Sequence, residues 1–253
     1  MTDPTEGPGV SVVIPTFDRC AWLRDCLASV GSQTVPPLEI IVVDDGSTDG
    51  TDRMMAVEFP SVRYLSLPHT GLPAVARNAG IDAARGAFIA FCDSDDTWDP
   101  DKLRVQIAAA RSTGAGLICT DASVMNEPSR GYLERYRWRW RSARRQLLWD
   151  NFVITSSVIV RRSVLGQLRF PADPRFRGVE DYALWLRLAA ETEIRFLPDR
   201  LVRYRLHEGN MSTALRTVDP RNQRIALLAS GLWKREPGLA ALKTVRTWWQ
   251  EMR

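Results

Sequence analysis

Residues 87–101, AFIAFCDSDDTWDPD, join a short apolar run to four carboxylates in seven positions: Asp93, Asp95, Asp96 and Asp99. The run from Ala87 to Cys92 suits a fully buried strand. Open α/β sheets build ligand sites from such strands, because side chains converge in the crevice beyond their carboxyl ends. Asp93 and Asp95 are two apart, so an extended chain points both the same way. Two carboxylates on one side repel each other unless a cation sits between them, and a hard divalent ion shared with substrate phosphates suits that place. Acidic residues also cap helices. Asp99-Pro100-Asp101 has that pattern, Asp at the N-cap and Pro at the first helical position. Capping leaves Asp93, Asp95 and Asp96 unexplained.

Two further stretches end in the same way. Pro15-Thr16-Phe17-Asp18 follows the apolar run 10–14, and Asp44-Asp45-Gly46-Ser47 follows the run 38–43. Each alone is a strand-turn-helix junction with Asp or Ser capping the next helix. No GxGxxG follows the first run and no GxxxxGK[ST] occurs, so a phosphorylated ligand is held through a metal instead of a glycine cradle. Glu180-Asp181 is the second acidic pair. The apolar spacing of Tyr182, Leu184, Trp185, Leu186 and Leu188 puts it on the first turn of a buried helix, where a carboxylate also gains about 0.3–1 kcal/mol from the helix dipole.

The elements that must position these groups follow from periodicity. Strands are predicted at 10–14, 38–43, 62–67, 87–92 and 117–120. Helices are predicted at 19–31 (Trp22, Leu23, Cys26, Leu27 and Val30 on one face), from Ser47-Thr48-Asp49 to Val57, at 72–84 and at 101–112. Strands alternating with helices at this spacing imply an α/β fold, a mostly parallel sheet with helices on both faces. After residue 121 the rhythm changes. A strand is predicted at 152–160, a helix at 179–191, one or two short strands in 194–206, and helix from about 220.

At 253 residues the chain is long enough for one large domain with a substantial core. Its 45% hydrophobic and 25% charged residues are those of a globular protein. No window reaches 18 uncharged apolar residues, which argues against a transmembrane helix. The N-terminus MTDPTEGPGV lacks a basic-then-apolar signal, so residues 1–9 are expected to be a disordered leader and the protein cytoplasmic. Cys20, Cys26, Cys92 and Cys119 have no CxxC or Cys/His spacing; Cys92 and Cys119 lie in core-like runs. With two histidines, neither near a cysteine, zinc is disfavoured. Residues 130–145 hold seven arginines and one glutamate, net +6, while the whole chain is +4. The basicity is thus one local patch, which favours a local anionic partner over nucleic acid. Within it, Arg135 to Arg141 alternates cation and aromatic. It is either a solvated cover with snorkelling arginines or a contact for anionic lipid or acceptor, a peripheral membrane contact through 135–149.

In order, PTFDR, VVDDGSTDGT, GLPAVARNAGIDAARG, FIAFCDSDD, GVEDYALWLRL and YRLHEGNMS make the chain resemble the inverting family 2 glycosyltransferases of GT-A fold, over about residues 10–212. The resemblance implies a nucleotide-sugar-binding half at 10–121 and an acceptor-binding and catalytic half at 122–212 of the same domain; the remainder, 213–253, is expected to be a helical extension. It implies that Pro15, Thr16 and Phe17 line the nucleobase and that Asp45 bonds its edge, which favours uracil or thymine. Arg77 matches a basic residue near the nucleotide. Asp93-Ser94-Asp95 matches the DxD motif, with Asp93 toward ribose and metal and Asp95 the direct ligand of Mn2+ or Mg2+. Asp96 is either a supporting residue or a turn former. His207 falls in a motif placed over the diphosphate or metal, with Arg205 and Asn210 as weaker candidates. Asp181 is implied as general base, with Glu180 orienting it or the acceptor. His69 is expected to pack in the loop entering the third helix. The implied reaction moves a sugar from a nucleotide-diphosphate sugar, UDP- or dTDP-linked, to a carbohydrate, lipid-linked or small-molecule acceptor hydroxyl. The alternative is a non-catalytic module that binds sugar nucleotide or docks a partner through the Arg/Trp patch; its mark would be loss of an essential carboxylate, and none is missing.

Overall fold

The computed structural model describes residues 7–125, 127–135, 142–207 and 220–231, with a few positions between 234 and 244. Strands β1 (Gly7–Thr16), β2 (Glu39–Asp44), β3 (Arg63–Ser66) and β4 (Gly86–Phe91) lie parallel in the order β3-β2-β1-β4. They are joined by α1 (Cys20–Gly31), α2 (Thr51–Glu58) and α3 (Pro73–Ala83). A parallel sheet covered on both sides needs apolar residues on both faces of each strand. Here Val10, Val12 and Ile14 enter the core shared with Leu23, Cys26 and Leu27 of α1. Val13, Ile41 and Val43 enter the opposite core, with Ala74, Ala76 and Ile81 of α3. A Cβ at Gly80 would overlap Val13, so α3 lies directly on β1 and carries Arg77 to the strands' carboxyl ends.

The sheet continues through β5 (Thr97–Trp98), β6 (Leu117–Val124), β7 (Glu127–Gly131), β8 (Ile159–Arg161) and β9 (Ile194–Tyr204). Its full order is β3-β2-β1-β4-β8-β6-β9-β5, with β7 on β6. β8 is antiparallel to both β4 and β6, whereas β9 is parallel to β6. The parallel character therefore belongs to the first four strands and the β6–β9 pair. Helix α4 (Lys102–Thr113) covers one face. The other is covered by α5 (Ala143–Trp149), the short α6 (Arg162–Leu165), α7 (Glu180–Glu191) and α8 (Pro220–Ser230).

Several boundaries depart from the sequence expectation. β1 begins at Gly7, inside the stretch expected to be a leader; residues 1–6 lie outside the described residues. α2 starts at Thr51 behind Gly50 and not at Ser47, because Ser47 and Asp49 spend their side chains on local loop bonds. α4 starts at Lys102 with Asp101 at the cap position; the Asp99 side chain accepts the Asp101 N–H instead of capping the helix. The strand expected at 152–160 is a 3-10 turn, Thr155–Ser157, followed by three residues of β8. Residues 136–141 of the Arg/Trp patch lie outside the described residues. From 142 onward the stretch turns inward, with Gln146, Leu147 and Leu148 buried. Among the described residues, no helix is long and apolar enough to cross a membrane.

Candidate active site

The order β2-β1-β4 reverses direction at β1, the place where open α/β sheets leave a crevice for ligands. Thr16 pairs with Asp44 at the carboxyl ends of β1 and β2, so the two loops meet as expected. They are stapled together: Asp18 N–H donates to Ser47 Oγ (2.8 Å) and Thr48 N–H to Asp18 Oδ1 (2.7 Å). Asp18 holds φ 46°, a left-handed conformation that Asp tolerates. Pro15 is half-buried, Thr16 is buried with its Oγ1 unpartnered, and Phe17 is exposed. Asp45 is buried and organises the 69–71 loop. Its Oδ1 accepts from Thr70 N–H (2.9 Å) and Oγ1 (2.8 Å), and its Oδ2 from Gly71 N–H (2.8 Å).

The acidic stretch after β4 is a tight turn closed by Asp96 N–H to the Asp93 carbonyl (3.0 Å). The turn overturns the extended geometry assumed for Asp93 and Asp95, and their carboxylates part. Asp93 Oδ1 accepts from Arg77 Nη2 at 2.7 Å. Asp95 Oδ2 is ion-paired to Arg19 and lies 2.9 Å from His207 Nε2. Each carboxylate thus has its own cation. Ser94 is buried in the turn. Asp96 is fully buried and ties three segments together, accepting from Ser156 Oγ (2.6 Å) and Arg205 N–H (3.0 Å). Burial, with Asp95 and Asp93 adding to it, pushes its carboxyl well above the usual range. Ser156 Oγ also receives the Asp93 N–H (3.0 Å), and Trp98 Nε1 donates to the Ser156 carbonyl (3.0 Å).

Around Asp95 stands a cluster that joins the expected His207 and Arg205 to Arg19 and Trp22, which the sequence did not single out for the site. The Arg19 and Arg205 guanidiniums lie 5.4 and 5.6 Å from the Trp22 ring, and the His207 ring is 4.4 Å from the same indole. Arg205 Nε also donates to the Asp95 carbonyl (2.9 Å). Periodicity places Trp22 on the apolar face of α1, but it cannot separate a core indole from one that stacks on cations. Asn210 lies outside the described residues.

Asp93 leads to the second acidic pair. Arg77 is 5% exposed and reaches Asp93 with one nitrogen and Glu180 Oε1 with the other (3.2 Å). Burial works against its charge, but Asp93 and Glu180 more than restore it. Arg77 is therefore a tie between the acidic turn and α7. Glu180 is buried, its other oxygen accepting from Gly178 N–H (2.8 Å), so both ends of its carboxylate are occupied by protein. Asp181 is different. It accepts from Tyr182 N–H at 2.6 Å, and only long bonds reach it from Asn151 Nδ2 (3.4 Å to each oxygen) and Thr155 Oγ1 (3.3 Å). Burial raises its pKa to about 7, with Glu180 adding to the rise and Arg77 opposing it. Asn151 and Thr155 come from a stretch without motif, and nothing in their spacing marked them.

Among the described residues, no three His, Cys, Asp or Glu side chains converge on a metal position. Asp95 and His207 do converge, and a carboxylate oxygen with an imidazole nitrogen suits a divalent ion whose other positions are filled by phosphate oxygens and water. Asp93, turned to Arg77, does not join them.

The model of Glycosyl transferase family 2 matches residues 11–169. The putative teichuronic acid biosynthesis glycosyltransferase TuaG of Bacillus subtilis is 30% identical over 81% of this chain and 82% of its own. An Escherichia coli protein, the UDP-Glc:alpha-D-GlcNAc-diphosphoundecaprenol beta-1,3-glucosyltransferase WfgD, is 28% identical over 81% of this chain and 79% of its own. An uncharacterized glycosyltransferase of Rickettsia conorii is 30% identical over 87% of this chain, which spans 36% of that relative's length. The fold matches S. aureus TarS in complex with UDP, with TM-score 0.64 at 19% identity over 87% of this chain and 65% of that one. It also matches the mannosyltransferase PcManGT from Pyrobaculum calidifontis in complex with GDP-Man and Mn2+, with TM-score 0.64 at 21% identity over 98% of this chain and 76% of that one. The fold is of GT-A type. The chain belongs to glycosyltransferase family 2.

Proposed function

We propose that the chain transfers a sugar, with inversion, from a nucleotide-diphosphate sugar to an acceptor hydroxyl, with Asp181 as general base. The observation that carries this is Asp181 itself: a carboxylate at the start of α7, raised to about 7 by burial, and next to Glu180, which Arg77 ties to the acidic turn. A base must reach the acceptor hydroxyl and take its proton as the sugar carbon is attacked, and a pKa near the working pH serves that task. The donor lies along the carboxyl ends of β1, β2 and β4, its base on Phe17 and its diphosphate toward Asp95, His207, Arg19 and Arg205. Asp95 and His207 would hold Mn2+ or Mg2+; when bound, the ion supplies positive charge to the departing diphosphate. A UDP- or dTDP-sugar is the favoured donor, in line with the printed name of WfgD and the UDP in TarS. The names of TuaG and WfgD point to cell-surface polysaccharide synthesis. Glu180, occupied by Arg77 and Gly178, serves by placing Asp181 and makes no acceptor contact. The three segments expected from the sequence keep their assignments in this proposal: donor half, acceptor half and helical extension, which includes α8.

Two measurements test this reading. kcat/KM for transfer should be flat above about pH 7 and fall as the pH drops below it, because protonated Asp181 cannot accept a proton. An acid limb near pH 4 would remove Asp181 from the role. Asp95→Asn should abolish the gain in nucleotide affinity that Mn2+ gives the wild type while keeping the fold. A variant with the full Mn2+ gain would show that Asp95 holds no metal.

A further inference from the structure

The base-side loops place one more group where a ligand would meet it. His69 follows β3 in the loop to α3, and its ring stacks on Phe17 with centroids 4.1 Å apart and planes 24° apart. The imidazole is about half exposed, and Phe17 is 40% exposed. Two close approaches hold His69 in place. A Cβ at Gly46, which has φ +83°, would come within 3.0 Å of the His69 backbone nitrogen, so only glycine lets the two loops meet this closely. On the ring, Nδ1 lies 2.8 Å from the Asp45 carbonyl and 3.2 Å from Asp45 Oδ2. A nitrogen facing two oxygens carries the proton. In the neutral ring Nε2 is then a hydrogen-bond acceptor. Exposed histidines ordinarily wander among rotamers, but this one is fixed by a stack, a hydrogen bond and a glycine contact.

Asp45, the residue implied to read the base, is already engaged, since its two oxygens accept three hydrogen bonds from Thr70 and Gly71. The exposed, oriented acceptor beside the Phe17 ring is His69 Nε2. We propose that His69 reads the donor's nucleobase, its Nε2 accepting the ring N–H of uracil, thymine or guanine and thereby disfavouring cytosine. The inference rests on the nucleotide-sugar reading above. Cytosine carries a lone pair at the ring nitrogen where uracil carries N–H, so acceptor would face acceptor. Asp45 then acts through His69, holding the imidazole in the tautomer that leaves Nε2 unprotonated.

The test uses two substitutions that divide the ring's functions. His69→Asn keeps a donor near the Nδ1 position for Asp45 and removes the Nε2 acceptor. His69→Gln offers an amide oxygen at the Nε2 end. Calorimetric affinities for UDP, GDP and CDP are measured with Mn2+ on the wild type and both variants, with thermal melting to confirm folding. The wild type should prefer UDP or GDP to CDP. His69→Asn should lose that preference by about three- to tenfold, the worth of one hydrogen bond, with CDP affinity unmoved. His69→Gln should retain part of it. An unchanged preference in folded His69→Asn overturns the inference and leaves the donor reading standing. Equal loss for all three nucleotides overturns it too, assigning His69 to stacking alone. A wild type that binds none of the three overturns the donor reading, and this inference with it.

Discussion

Asp181→Asn is expected to lower turnover by about 10²–10⁴-fold while donor affinity and fold are retained. Asn is nearly isosteric with Asp and can still accept the Tyr182 N–H that holds Asp181 Oδ1, so the turn at the start of α7 keeps its geometry. What is lost is the capacity to take a proton. A second readout separates this from simple damage. The pKa of Asp181 is raised from 3.8 to about 7, so the protein holds the neutral form more readily than the unfolded chain does. Stability from this group is therefore complete below about pH 4 and is lost progressively as the pH rises through about 7. The variant, which never ionises, should melt higher than the wild type at pH 8, with the gap narrowing as the pH falls toward 4. A variant that melts lower at every pH and loses nucleotide binding would mark Asp181 as structural.

Arg77→Gln is expected to destabilise the fold by about 3–5 kcal/mol, the cost of removing one partner from a buried ion pair. Asp93 and Glu180 would be left facing a neutral amide, Glu180 with almost no access to water. Chemical denaturation at pH 7.5 measures the loss. Adding Glu180→Gln should recover part of it, because the buried charge that needed Arg77 is gone. Arg77→Gln alone, with Glu180 intact, should move the acid limb of the rate profile above pH 7, since Arg77 opposes the rise of the Asp181 pKa. A loss below about 1 kcal/mol, the range of an exposed pair, would mean that Arg77 does not bear on the buried carboxylates.

The parallel half of the fold was legible because each of its strands is an apolar run closed by Pro, Asp or Gly and each helix has an unbroken apolar stripe. The second half was not. β8 is three residues long and its neighbours Ser156 and Ser157 are buried with their hydroxyls bonded, so Phe152 to Val160 carries a strand's composition without forming one. α5 was hidden by the arginines that surround it. In the site, residue types and order were readable from motifs, whereas side-chain direction was not. Asp93 and Asp95 alternate as an extended chain would, yet the Asp96 N–H closes a turn and sends them to different arginines. Sequence shows the charge of Arg77 and not its depth; it is buried between Asp93 and Glu180. Asn151 and Thr155 reach Asp181 from residues 26–30 positions away, through packing that no local spacing encodes.

The central claim, that these strand ends hold a nucleotide-diphosphate sugar, is tested most directly by calorimetric titration with UDP, dTDP and GDP, each with and without Mn2+. The expected result is a single saturable site that prefers a uracil or thymine nucleotide and tightens when Mn2+ is added. Folded protein that binds no diphosphate in either condition would contradict the claim and leave the family's fold here without its donor.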